Sequence, residues 1–209
     1  MIYVSLYYNE LTEKDLQSTT TLPFLLQNRI NKHKRLKSRL NSLAGYLLLQ
    51  YTLEEQGQTL EQLNFSTTGK PYLSNNPFSF SISHNAGWVG LCWMPVESKL
   101  GLDIQEFRKF EPIERGFSFF SAVEQEAILT SKEPDKTLIH YWAKKEALIK
   151  AGAGRMFDEA ALTNTTLSHC TWKGENYQWL SVPSSFDGAI WIACNQPSQK
   201  ISVKKVTFL

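Results

Sequence analysis

The chain has little cysteine. Its three, Cys92, Cys170 and Cys194, are odd in number, far apart and without the spacing of a metal-ligand set. A disulfide framework and a zinc module are therefore excluded, and free thiols of a reducing compartment are expected. No apolar run approaches the length of about 20 residues that a membrane-spanning helix needs. The opening MIYVSLYYNE has no basic n-region and meets Asn9 and Glu10 at once, so it reads as a strand and not as a signal peptide. An excess of charge of one sign is missing as well. The net charge of +2 is too small a bias to imply nucleic acid. Low-complexity linkers are absent. What is present is 42% hydrophobic residues, with 12% aromatic, in 209 positions. That supports one large domain or two small ones packed closely. A soluble, cytoplasmic, monomeric protein is the expectation.

Periodicity predicts a strand over 2–8 and a helical region from about 23 to 56, broken somewhere near 31–40. In its second part Leu40, Leu43, Leu47 and Tyr51 form an apolar helical face, and Gly57 is a C-cap. FSFSISH (78–84) alternates Phe78, Phe80 and Ile82 with serines, and WVGLCWM (88–94) follows an Asn85-Ala86-Gly87 turn. LGLDIQEF (100–107) is a third strand. Helices are predicted over 117–131 and 134–151, the first with Ser121 and Glu124 as a capping box. AGAGR (151–155) lacks phosphate-loop spacing and reads as a helix stop. The remainder, through ISVKKVTFL, reads as an antiparallel meander. The fold class is α+β, in two halves that divide at Pro95–Leu100: 1–98 and 99–209.

Several residue groups suit phosphate and metal chemistry. On a strand, Asp103 and Gln105 share one face, and an oxygen pair of that kind can hold a hard cation such as Mg²⁺. On a helix, Trp142, Lys145, Glu146, Ile149 and Lys150 share a broad face. Glu146 and Lys150 alone would be a surface ion pair, but Trp142 beside them implies partial burial. A carboxylate with two ammonium groups there suits a site for metal and phosphates together. Ser83 and His84 stand at a strand end beside a small-residue turn that can cradle a phosphate. Lys70 lies in a stiff Gly-Lys-Pro turn. The run INKHKRLKSRL (30–40) is basic but lacks interleaved aromatics, which weakens a nucleic-acid reading.

In this order, GKP (69–71), SISHN (81–85), GLDIQ (101–105), FFSAVE (119–124) and WAKKEALIK (142–150) resemble the Sfp-type 4′-phosphopantetheinyl transferases. The W-x-x-K-E-A form is similar to the branch written W/KEA. The resemblance implies two similar α+β halves related by a pseudo-twofold, each a small antiparallel or mixed sheet with helices. The ligand cleft lies between them. The half 1–98 is then the nucleotide side, and 99–209 carries the metal and the catalytic helix. It implies transfer of the phosphopantetheine arm of coenzyme A to a serine of an acyl or peptidyl carrier protein, with release of 3′,5′-ADP.

By the same resemblance, Asp103 and Glu146 hold Mg²⁺, with Gln105 beside them, and Lys150 neutralises the leaving group. Lys70, Ser83, His84 and Lys145 contact coenzyme A. Glu124 matches the glutamate of the F-F-S-x-x-E element. Two positions depart from the family. Many relatives carry Glu where Gln105 stands; the amide offers an oxygen but no charge. Asn41 stands where relatives often have Arg. Lys37, one turn earlier, or Arg39, about 200° around a continuous helix, is then the candidate for the 3′-phosphate. A non-catalytic relative that binds coenzyme A or a nucleotide, and a nucleic-acid module on residues 29–39, are the alternatives.

Overall fold

The computed structural model describes residues 1–74, 78–152, 163–197 and 200–207. The chain runs β1 (Ile2–Tyr8), α1 (Phe24–Asn31), α2 (Leu36–Glu55), β2 (Leu63–Phe65), β3 (Pro71–Leu73), β4 (Ser79–Asn85), β5 (Trp88–Met94) and β6 (Leu100–Glu106). It continues with α3 (Ala122–Leu129), α4 (Pro134–Gly152), β7 (His169–Trp172), β8 (Glu175–Ser181), β9 (Gly188–Cys194) and β10 (Ile201–Lys205). The fold is α+β. A first sheet has the order β10-β1-β5-β4, a second, antiparallel sheet has β6-β9-β8-β7, and β2-β3 is a short hairpin.

The break in the N-terminal helical region falls between Asn31 and Leu36. α2 ends as expected. Gly57 takes φ +66, and the amides of Gln58 and Gly57 return to the carbonyls of Leu53 and Glu54, a Schellman closure. Leu43 is fully buried, but Leu40, Leu47 and Tyr51 are only half-buried. The buried surface instead wraps round to Ala44, Leu48, Leu49 and Leu53, because α1 and a 3-10 turn over Glu13–Thr21 cover what the first sheet leaves open. The helix expected over 117–131 is also shorter. A 3-10 turn occupies Ile113–Phe119, and α3 starts only after Ser121, whose hydroxyl and amide both bond the Glu124 carboxylate. α4 ends at Gly152, and positions 153–155 of the expected stop lie outside the described residues.

The last strand departs from the expected meander. β9 already has β8 on one side and β6 on the other. β10 therefore crosses back and pairs in parallel with the free edge of β1, Val4 opposite Val203.

Burial orders the layers as α2, first sheet, second sheet, α4. Val89, Leu91 and Trp93 of β5 pack toward α2. Cys92 and Met94 of the same strand meet Leu102, Ile104, Ile190 and Ile192 of the second sheet. Ala193 and Trp179 of that sheet pack on Ala147 and Leu148 of α4. A sheet buried on both faces explains why β5 reads as one continuous apolar run. The β4–β5 connection needs two left-handed residues, Ala86 at φ 48 and Gly87 at φ 83, the geometry of a tight hairpin turn.

Candidate active site

The two sheets meet where edge strand β4 lies against edge strand β6. They share no backbone ladder; side chains replace it. Ser81 Oγ accepts from the Leu102 amide (3.0 Å), Ser83 Oγ from the Ile104 amide (3.2 Å) and Asn85 Oδ1 from the Glu106 amide (3.2 Å). Ser79 Oγ accepts from the Ser98 amide at 2.8 Å. Every second residue of β4 thus satisfies a backbone donor that an edge strand would leave exposed. Ser81 and Ser83 are buried in this seam.

Asp103 projects from β6 into the seam and is only 2% exposed. Its Oδ1 accepts from Lys150 Nζ at 2.6 Å and from Ser83 Oγ at 3.1 Å, and its Oδ2 accepts from Gln105 Nε2 at 2.8 Å. Lys150 also donates to Ser83 Oγ at 2.9 Å. Glu146, one turn before Lys150 on α4, is half-buried. Burial and then the charge of Asp103 raise its carboxyl above the ordinary value, with Lys150 opposing. Asp103, Glu146 and Lys150 therefore form one electrostatic unit across the strand–helix junction. Trp142 holds the helix by its edge-to-face contact with Phe119, at 5.1 Å between rings.

Beside this unit is a cavity of about 340 Å³ walled by α2, the turn before β3, β4 and the end of α4; Arg29, Asn41, Ser42, Lys70, His84 and Lys150 are among its residues. Burial, followed by the Lys150 charge, lowers the pKa of His84. Its Nδ1 lies 3.4 Å from Asn41 Nδ2. Asn41 Oδ1 accepts from Asn9 at 3.1 Å. Asn41 thus serves here to hold the histidine. Arg29 stacks its guanidinium on Phe65, 3.8 Å from the ring centre, and donates to the Gly69 carbonyl at 3.4 Å.

Other expected site residues stand apart. Lys37 is exposed on α2. Arg39 bridges the helix break to Asn31 Oδ1 at 3.1 Å. Neither is among the cavity's residues. Lys145 points to the opposite side of α4. It is fully buried in an ion pair with Glu124 at 2.9 Å and also donates to the Thr163 carbonyl at 2.8 Å. Glu124 further accepts from the amide and hydroxyl of Thr165, at 2.9 and 2.5 Å. Lys145 is a core anchor here and not a cavity cation, since adjacent helical residues point about 100° apart. Ser83 is spent on the seam, and Gln105 offers Asp103 its amide N–H. Lys70 lies at the cavity, but burial lowers its pKa to about 8 and its ammonium is turned onto backbone carbonyls.

Arg29 and Asn41 were not picked out as a cavity cation and a histidine partner. Arg29 sits just before the basic run, and only its stacking on Phe65, more than thirty positions away, distinguishes it from a solvated helix residue.

No curated protein matches the sequence. Residues 99–194, from the approach to β6 through the end of β9 and so including Asp103, Glu124, Glu146 and Lys150, match the family model of the 4′-phosphopantetheinyl transferase superfamily (ACPS).

Proposed function

We propose that the protein is a magnesium-dependent transferase of the Sfp type that moves the 4′-phosphopantetheine arm of coenzyme A onto a serine of an acyl or peptidyl carrier protein. The observation that carries this is the junction of Asp103, Glu146 and Lys150, within the matched stretch, beside a cavity that Lys150, Arg29 and His84 line together. Coenzyme A carries a reacting pyrophosphate and, on the same nucleotide, a separate 3′-phosphate, and so calls for cations and hydrogen-bond donors at two places.

In the reaction the serine oxygen bonds to the β-phosphorus while the bond from that phosphorus to the departing 3′,5′-ADP breaks. Chemistry of this kind depends on positioning and charge neutralisation more than on covalent help. Glu146, the half-buried carboxylate one turn before Lys150, is the group that would take the proton of the serine hydroxyl. Lys150, anchored on Asp103 and Ser83, is placed to neutralise charge on the leaving phosphate. Arg29 and His84 suit binding of the remote 3′-phosphate, whose binding energy helps to seat the pyrophosphate.

A magnesium ion suits the donor set. Two carboxylates, close enough that one raises the pKa of the other, form an oxygen pair whose repulsion a hard dication relieves. Asp103 and Glu146 are the residues that would hold it. Among the described residues no group of three His, Cys, Asp or Glu comes together, so phosphate and water oxygens would complete the shell. When bound, the ion supplies neutralisation of the pyrophosphate. The test is intact-mass measurement of several apo carrier proteins incubated with coenzyme A, Mg²⁺ and the protein. A gain of one phosphopantetheine is expected, and no gain when a chelator is present from the start. No mass gain on any carrier overturns the reading.

A further inference from the structure

The resemblance makes Lys70 a coenzyme ligand, but its ammonium is already fully used. Nζ donates to the carbonyls of Lys150 (2.5 Å), Ala151 (3.1 Å) and Leu100 (3.1 Å). An ammonium has three N–H donors, and here each has an acceptor. Two of those acceptors belong to the last turn of α4, where carbonyls lack partners within the helix and where the helix dipole favours a cation. The third belongs to the first residue of β6. One side chain from the turn before β3 therefore ties the end of the helix bearing Glu146 and Lys150 to the start of the strand bearing Asp103.

The backbones at this junction are unusually close. A Cβ on Gly101 would collide with the carbonyl of Ala147 and the amide of Ala151. Such contact leaves α4 little freedom to slide, and the Lys70 tie fixes what freedom remains.

We infer that Lys70 is a positioning residue. It docks the C-terminal turn of α4 onto β6 and so sets the reach of Lys150 to Asp103, and it does not bind coenzyme phosphate. Its kinetic consequence rests on the transferase reading proposed above; its structural consequence does not.

Two measurements, one on the wild type with and without coenzyme A and one on Lys70→Met, decide the docking without any assay of transfer. Reductive methylation followed by peptide mass analysis should leave Lys70 unmodified with or without coenzyme A, while Lys37 reacts. Labelling of Lys70 in the free protein, with protection by coenzyme A, would make it a phosphate ligand and overturn the inference. Hydrogen exchange in Lys70→Met should then be faster by about tenfold or more in the last turn of α4 than in wild type, with α2 unchanged. Equal exchange overturns the docking role.

If transfer is established, kcat of Lys70→Met should fall about tenfold or more while KM for coenzyme A stays within about twofold. Lys70→Arg, which keeps a buried cation and several donors, should recover part of kcat. A raised KM with kcat retained overturns the inference. If no carrier is ever modified, the transferase reading fails, and labelling and exchange still decide the docking.

Discussion

Lys150 Nζ stands 2.6 Å from Asp103 Oδ1, and this contact joins the last turns of α4 to the middle of β6. The ion pair is half-open on the lysine side, with side-chain exposures of 31% and 4%. The carboxylate is fixed by its neighbours and the ammonium keeps access to the cavity. That asymmetry suits a carboxylate of fixed geometry beside a cation that can turn toward phosphate.

Asp103→Ala and Glu146→Ala should each lower kcat/KM for carrier modification by on the order of 3 kcal/mol, or about a hundredfold or more. Steady-state rates with a carrier found by mass analysis provide the check. A Glu146→Ala enzyme that keeps about a tenth of wild-type kcat/KM would remove this residue from the metal and proton roles.

Gln105 donates to Asp103, so Gln105→Glu exchanges a donor for a third carboxylate oxygen pair at the same place. The free protein should lose stability through carboxylate repulsion, and the Mg²⁺ concentration for half-maximal rate should fall. An unchanged Mg²⁺ titration would mean that position 105 touches neither the ion nor its waters.

Arg29 is the cavity cation on the α1 side, whereas Lys37 and Arg39 lie outside the cavity lining. Arg29→Ala should raise KM for coenzyme A and hardly alter KM for 3′-dephospho-coenzyme A. Lys37→Ala should leave both as they are. The opposite pattern returns the 3′-phosphate to the basic run.

Glu124 and Lys145 are both fully buried. Removing one leaves the other as an unpaired buried charge, so Lys145→Met or Glu124→Ala should cost about 3–5 kcal/mol in urea unfolding. The pair removed together should cost less than the sum of the two, because neither charge is then stranded. Additive losses would show that the two side chains do not interact.

His84 has a folded pKa below its ordinary 6.5, through burial and the nearby Lys150. As pH falls below 6.5 the unfolded chain takes up the proton first, so the folded state loses stability across the window down to the lowered value. Above 6.5 the imidazole is neutral in both states and contributes no pH dependence. His84→Gln should flatten this part of the curve. Parallel stability curves from pH 7.5 to 5 for the two proteins would refute the assignment.

The sequence by itself determined the local elements and the chemical types at the site. Strand patterning gave β1, β4 and β6, the apolar run after the Asn85-Ala86-Gly87 turn gave β5, the Ser121–Glu124 box gave the start of α3, and the spacing of Glu146 and Lys150 gave one helix face. These follow from contacts within a few residues, which is what a single sequence records. The Asp103–Gln105 face was legible in the same way. What each polar group is bonded to was not legible, because partners come from distant segments. The serines of β4 read as a polar strand face, yet they complete the backbone of β6. Lys145 looked like a site cation until Glu124 and Thr165 enclosed it. Lys70 read as a turn lysine until three carbonyls from β6 and α4 saturated it. The parallel return of β10 to β1 was equally hidden, since it depends on which sheet edge remains open once β6, β8 and β9 have paired. Burial and edge availability arise only when the layers are assembled, so the tertiary structure alone decided which of the charged residues face the cavity.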